Sequence, residues 1–121
     1  VTGPSPLTLA ELQRRTEAIL APVAHPRILA ALALTEEVGE VTKILLEHEG
    51  YGRPLDKKKL GGELADALLA LAELATRYGV DLEAASREKL EDVARRAPGW
   101  ASEFGEALAK ARERLDPRAS S

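Results

Sequence analysis

The sequence predicts an all-α fold, an antiparallel bundle of four core helices plus a C-terminal helix. Three observations carry that expectation. Ala, Leu, Glu, Lys and Arg dominate the chain, and these residues form helices most readily. Gly and Pro fall at intervals of a helix's length, where they punctuate rather than pervade. No stretch alternates apolar and polar side chains for long enough to read as a strand. With 121 residues, the whole of 1–121 reads as one domain with its centre over about 27–98.

The elements follow in order. Thr8 and Glu11 make a capping-box pattern that opens a first helix over about Leu9 to Leu20. Pro22 and Pro26 mark its end, and a long second helix runs from Pro26 to Glu49, with Gly50 as its stop. Tyr51 to Leu55 is a connector broken by Gly52 and Pro54. Asp56 caps a third helix that ends at Tyr78 before Gly79. Asp81 caps a fourth, to about Arg96, and Pro98-Gly99 breaks the chain. Ser102 caps a last helix to Leu115, and the tail 116–121 is expected to fray. Between Leu64 and Ala75 the only polar residues are Asp66 and Glu73, so the third helix should be buried on several sides.

Composition excludes several classes of function. The absence of cysteine removes a disulfide framework, a thiolate zinc site and a Cys nucleophile. Two widely separated histidines do not make a His-rich metal site. A net charge of −3 argues against a general nucleic-acid surface. No apolar run approaches the ~20 residues of a membrane helix, and no signal-peptide pattern is present, so a cytoplasmic protein without a membrane partner is expected. The sequence does not begin with Met, which fits a trimmed start. The lack of Met and Asn suits either a heat-tolerant protein or a GC-rich genome.

The informative residues are acids on stripes that should face a neighbouring helix. At about 100° per residue, Ala30, Ala33, Glu37, Glu40, Val41 and Ile44 share one stripe of the second helix. Leu60, Glu63, Ala67, Ala70, Leu71 and Leu74 share one on the third, with Asp66 on its shoulder. Glu37/Glu40 and Glu63/Asp66 are both spaced i, i+3, so each pair leaves one face of its helix. Four converging carboxylates repel one another, so either they take up protons or a cation sits among them. Hard oxygen donors without His or Cys select Mg²⁺, Mn²⁺ or Ca²⁺. Small neighbours at Gly39, Ala67 and Ala70 would let the two helices approach closely.

Thr35-Glu36-Glu37-Val38-Gly39-Glu40 and Glu63-Leu64-Ala65-Asp66 resemble the paired EExxE and ExxD motifs of the MazG-like, all-α nucleoside triphosphate pyrophosphohydrolases. Gly79 to Glu83, and Lys89 and Arg96 seven residues apart, are similar to that family as well, over about Arg27 to Pro98. The resemblance implies Mg²⁺-dependent (Mn²⁺ as a substitute) hydrolysis of a nucleoside triphosphate to monophosphate and pyrophosphate, in a homodimer or homotetramer. By position, Glu37, Glu40, Glu63 and Asp66 would be the metal ligands. Glu36 would orient or deprotonate the water that attacks the α-phosphorus, and Lys89 and Arg96 would face the phosphates. Val93 stands where the dCTPase-like branch carries Asn, which counts against a cytosine-directed contact.

The acidic cluster repels a triphosphate unless divalent ions intervene; Arg53 and Lys57-Lys58-Lys59 are candidate phosphate helpers, though the lysine run reads first as a flexible solvated patch. Trp100 is expected to plug a subunit interface rather than stack on a base. His48 is expected at the end of its helix rather than on a metal, and His25 carries no assigned role. Two alternatives stand. Phosphoribosyl-ATP pyrophosphatase shares the acidic helical motifs, and a non-catalytic helical interaction module would use the acids as a solvated face. A di-iron bundle wants Glu-x-x-His pairs, and neither Glu40 nor Glu63 has a His three residues on.

Overall fold

The computed structural model describes residues 3–116. The tail expected to fray lies, beyond Asp116, outside the described residues. All regular structure among them is helical: α1 (Leu9–Leu20), a 3₁₀ turn (Ala21–Val23), α2 (Ile28–Tyr51), α3 (Lys57–Arg77) and α4 (Leu82–Leu115). No single described helix is long and apolar enough to cross a membrane.

Capping sets three of the starts. The backbone N–H of Glu11 donates to Thr8 Oγ1 at 3.0 Å, that of Lys59 to Asp56 Oδ1 at 3.1 Å, and that of Ala84 to Asp81 Oδ1 at 3.0 Å. The second helix stops later than expected. Gly50 stays helical, and the left-handed residue that ends α2 is Gly52, at φ 68°. The larger correction concerns the C-terminal region. The expected break at Pro98-Gly99 does not occur, and α4 runs through both residues as one helix of 34 residues. Ser102 therefore lies inside a helix instead of capping one, and the separate C-terminal helix is the far half of α4. Proline removes one backbone donor and costs about 3 kcal/mol inside a helix. The Ala-, Glu- and Arg-rich turns on either side favour the helix enough to absorb that loss.

The chain divides into two units, 1–85 and 86–121. The regular structure described in the second belongs to α4 alone, with ion pairs along its surface: Asp92 with Arg95 and Arg96, and Glu106 with Lys110. No described residue of α4 is buried.

In the first unit, α2 and α3 pack against each other and α1 packs against α3. Side-chain contacts give the direction. His25, just ahead of α2, meets Glu73 near the end of α3, whereas Glu37 within α2 meets Glu63 and Asp66 early in α3. The two helices are therefore antiparallel. Gln13, the only Gln in the chain, pins α1 to the α3–α4 turn: its Nε2 donates to Thr76 Oγ1 (3.1 Å) and to the Val80 carbonyl (2.8 Å), and its Oε1 accepts from the Leu82 N–H (2.9 Å). That last bond satisfies a donor that the start of α4 leaves unpaired.

The buried apolar residues are Leu12, Ala30, Ala70, Ala72 and Ala75. Close helix contact is thus made by small side chains. The expectation that the Leu64–Ala75 stretch is covered all round fails here: three of its alanines are buried, but Leu64, Leu68, Leu69 and Leu71 remain exposed. Among the described residues α1 and α2 are the helices that pack on α3, and they leave these four leucines uncovered. Gly39 also departs from expectation. It is exposed, and a methyl group built on it would meet nothing within 4 Å, so close approach does not require it.

Two outcomes follow from this packing. Gly39→Ala should stabilise the fold by about 1 kcal/mol through helix propensity, read as a higher midpoint in denaturant unfolding. Gln13→Ala should lower that midpoint, at a cost of about 2 kcal/mol, since it leaves three partners unpaired.

Candidate metal centre

Three carboxylates meet where α2 crosses α3. One oxygen from each of Glu37, Glu63 and Asp66 lies within 4.8 Å of the other two. Glu37 and Glu63 are half-buried and Asp66 is exposed, so the cluster opens to solvent on one side. Two oxygens on opposite sides of a Ca²⁺ ion are separated by about 4.8 Å, and those on adjacent positions of Mg²⁺ by about 3 Å. The spacing and the all-oxygen donor set both fit a hard divalent cation.

Electrostatics marks Glu37. Its carboxyl is held above the usual carboxylate range, first by partial burial and then by the negative charges of Asp66, Glu63, Glu36 and Glu40. The remaining expected ligand, Glu40, stands apart. It is exposed and does not belong to the converging group, although its charge still reaches Glu37. Three residues advance about 300°, leaving Glu40 about 60° off the direction of Glu37, while Val41 and Ile44 return to within about 40° and 20°. Those two are half-buried, and they occupy the covered part of the stripe.

Glu36 is exposed on α2, beside the cluster in sequence. Lys89 and Arg96 belong to the second unit, and both are exposed there. Arg96 is already engaged. Its Nη2 lies 2.9 Å from Asp92 Oδ2, its Nε donates to the same oxygen at 3.1 Å, and its guanidinium lies 5.3 Å from the Trp100 ring centre. Lys57, Lys58 and Lys59 form the exposed first turn of α3, and Arg53 pairs with Glu47 at 3.4 Å. His48 stands at the end of α2, as expected, with Nδ1 2.7 Å from the Arg53 carbonyl oxygen.

Sequence reasoning missed one polar cluster. His25 Nε2 lies 2.7 Å from Glu73 Oε1, and Arg77 reaches both Glu73 (3.6 Å) and the His25 carbonyl (2.6 Å). The available signal is Glu73 itself, the second acid inside the apolar run from Leu64 to Ala75. An acid in such a run needs a partner as much as Asp66 does.

No protein family, no curated protein and no solved structure matches the chain.

The raised Glu37 carboxyl has a consequence for stability. An acid whose folded pKa lies above its unfolded value of 4.5 contributes stability that is fully present below that value and is lost as pH rises through the folded one. Without divalent ions, the melting temperature of the parent chain should therefore fall relative to that of Glu37→Gln as pH rises from below 4.5 toward neutrality. Thermal melts of both proteins in chelator, across that range, check the sign.

Proposed function

We propose that the chain is a divalent-cation-dependent nucleoside triphosphate pyrophosphohydrolase of the MazG-like all-α type, releasing pyrophosphate and a nucleoside monophosphate. The observation that supports this reading is the meeting of Glu37, Glu63 and Asp66 across two antiparallel helices. The motif resemblance supplies the reaction class.

In this reading Glu37, Glu63 and Asp66 hold Mg²⁺ (or Mn²⁺), and Glu40 joins them by a change of side-chain rotamer. A bound ion supplies the positive charge that lets a triphosphate approach four acids and favours loss of a proton from the attacking water. Glu36, exposed and next to Glu37, accepts that proton. Lys89 and Arg96 are the proposed contacts for phosphate oxygens, and Arg96 must exchange its Asp92 partner to serve.

We also propose a homodimer or homotetramer. Leu64, Leu68 and Leu71 on α3, with Ile28 and Leu32 on α2, are exposed in the single chain, and a second copy is the proposed cover. Sedimentation at several concentrations tests it.

The activity test is a panel of common ribo- and deoxyribonucleoside triphosphates with Mg²⁺, with phosphoribosyl-ATP alongside and the released anion identified. Pyrophosphate from a nucleoside triphosphate supports the reading. Turnover of phosphoribosyl-ATP alone favours the alternative enzyme, and no turnover of any substrate favours the interaction module. Glu63→Gln and Asp66→Asn should each lower kcat by roughly 100-fold or more while the chain stays helical by circular dichroism. Glu36→Gln should slow turnover but leave Mn²⁺ affinity unchanged.

A further inference from the structure

The far half of α4 carries an apolar face that no described residue of its unit covers. At about 100° per residue, Trp100, Phe104, Ala107, Leu108, Ala111 and Leu115 fall within one arc of about 100°, and no polar residue of that stretch shares it. Trp100, Phe104, Leu108 and Leu115 are all exposed. Positions 100, 104, 108, 111 and 115 recur every three or four residues, the spacing of a seam between packed helices.

We infer that this face is self-complementary and joins two copies of the chain by antiparallel pairing of their α4 helices. Side-chain size gives the register. With a two-fold axis between Ala107 and Leu108, Phe104 meets Ala111 of the second copy, Leu108 meets Ala107, and Trp100 meets Leu115 at either end. Phe104 and Leu108 thus each face an alanine, and such layers interdigitate. A parallel pair would set Phe104 on Phe104 and Ala111 on Ala111, crowded at one layer and hollow at the next.

Charge selects the same direction. Glu103, Lys110 and Arg114 lie along one flank of the face, and Arg112 stands on the other. Antiparallel helices bring like flanks together, so the register above sets Glu103 between Lys110 and Arg114 of the second copy, and the two-fold axis repeats the arrangement. A parallel pair brings opposite flanks together and drives Lys110 and Arg114 against Arg112, a like-charge clash. Within its own helix Lys110 has an exposed pairing with Glu106 at 3.6 Å, which costs little to exchange. The face belongs to the second unit and the leucines of α2 and α3 to the first, so either can join copies without the other. A chain with two self-complementary faces builds a dimer of dimers.

Trp100 is the only tryptophan in the chain, so its fluorescence reports on this face alone. The test follows that emission on dilution of the full chain, with sedimentation equilibrium alongside. Blue-shifted emission at high concentration is expected, moving to the red as the mass falls. Leu108→Asp should weaken the association by roughly 100-fold while the chain stays helical by circular dichroism. Glu103→Lys should weaken it by roughly tenfold, and adding Lys110→Glu and Arg114→Glu to that chain should recover most of the loss. Leu68→Glu, which charges the leucine face of α3, should leave the Trp100 transition in place. Red emission at every concentration, a Leu108→Asp chain that associates like the parent, or a charge swap that recovers nothing would each overturn the inference. Loss of the transition in Leu68→Glu would also overturn it, by giving Trp100 to the other face. The measurement needs neither metal nor nucleotide, so its failure leaves the hydrolase reading untouched.

Discussion

The first unit depends on one unfavourable interaction, the crowding of like charges where α2 meets α3. Glu37, Glu63 and Asp66 cannot sit within 4.8 Å of one another without repulsion, and that repulsion adds to partial burial in raising the Glu37 carboxyl. Something else has to hold the helices together against that repulsion. Part of it is close contact through Ala30, Ala70, Ala72 and Ala75. Part is polar anchoring where His25 and Arg77 close on Glu73. At the other end of the pair, Arg53 pairs with Glu47 and its carbonyl meets His48, which folds the connector back onto the end of α2.

Small residues allow close approach but bury little area. At roughly 25 cal/mol per Å² of apolar surface, an alanine contributes far less than the ~1.5–3 kcal/mol of a fully buried leucine. Four leucines of α3, Leu64, Leu68, Leu69 and Leu71, are 37–50% exposed, so part of their burial energy is not realised within the single chain. The acidic centre thus lies in a helix pair whose large apolar residues are left largely uncovered by the contact that creates it. A covering surface on that outer side would steady the pair without removing the opening that Asp66 leaves to solvent.

Much of the fold was legible because its signals are local. Thr8, Asp56 and Asp81 each cap the helix that follows, and a cap needs only a few residues to act. Stops were harder to read. Gly50 and Gly52 are equally permissive as residues, and the choice between them depends on which one takes a left-handed φ. Pro98 misled for a related reason, since a proline weakens a helix by a finite amount that good neighbours can offset. The acidic stripe was readable from spacing, but its membership was not: the same three-residue step brings Asp66 in beside Glu63 and leaves Glu40 out. His25 and Glu73 lie far apart in the chain, and nothing local announces that they touch.

The source of the field at Glu37 separates a convergent centre from a merely acidic helix face. On a solvated face the strongest charges would come from sequence neighbours, here Glu36 and Glu40. At Glu37 the order is reversed: among the charges, Asp66 and Glu63 of α3 outweigh both residues of its own helix. Charges from α3 therefore act on this carboxylate beside its partial burial and the acids of its own helix. Any cation drawn there is drawn by residues that only the folded chain brings together, which couples its binding to the α2–α3 contact itself.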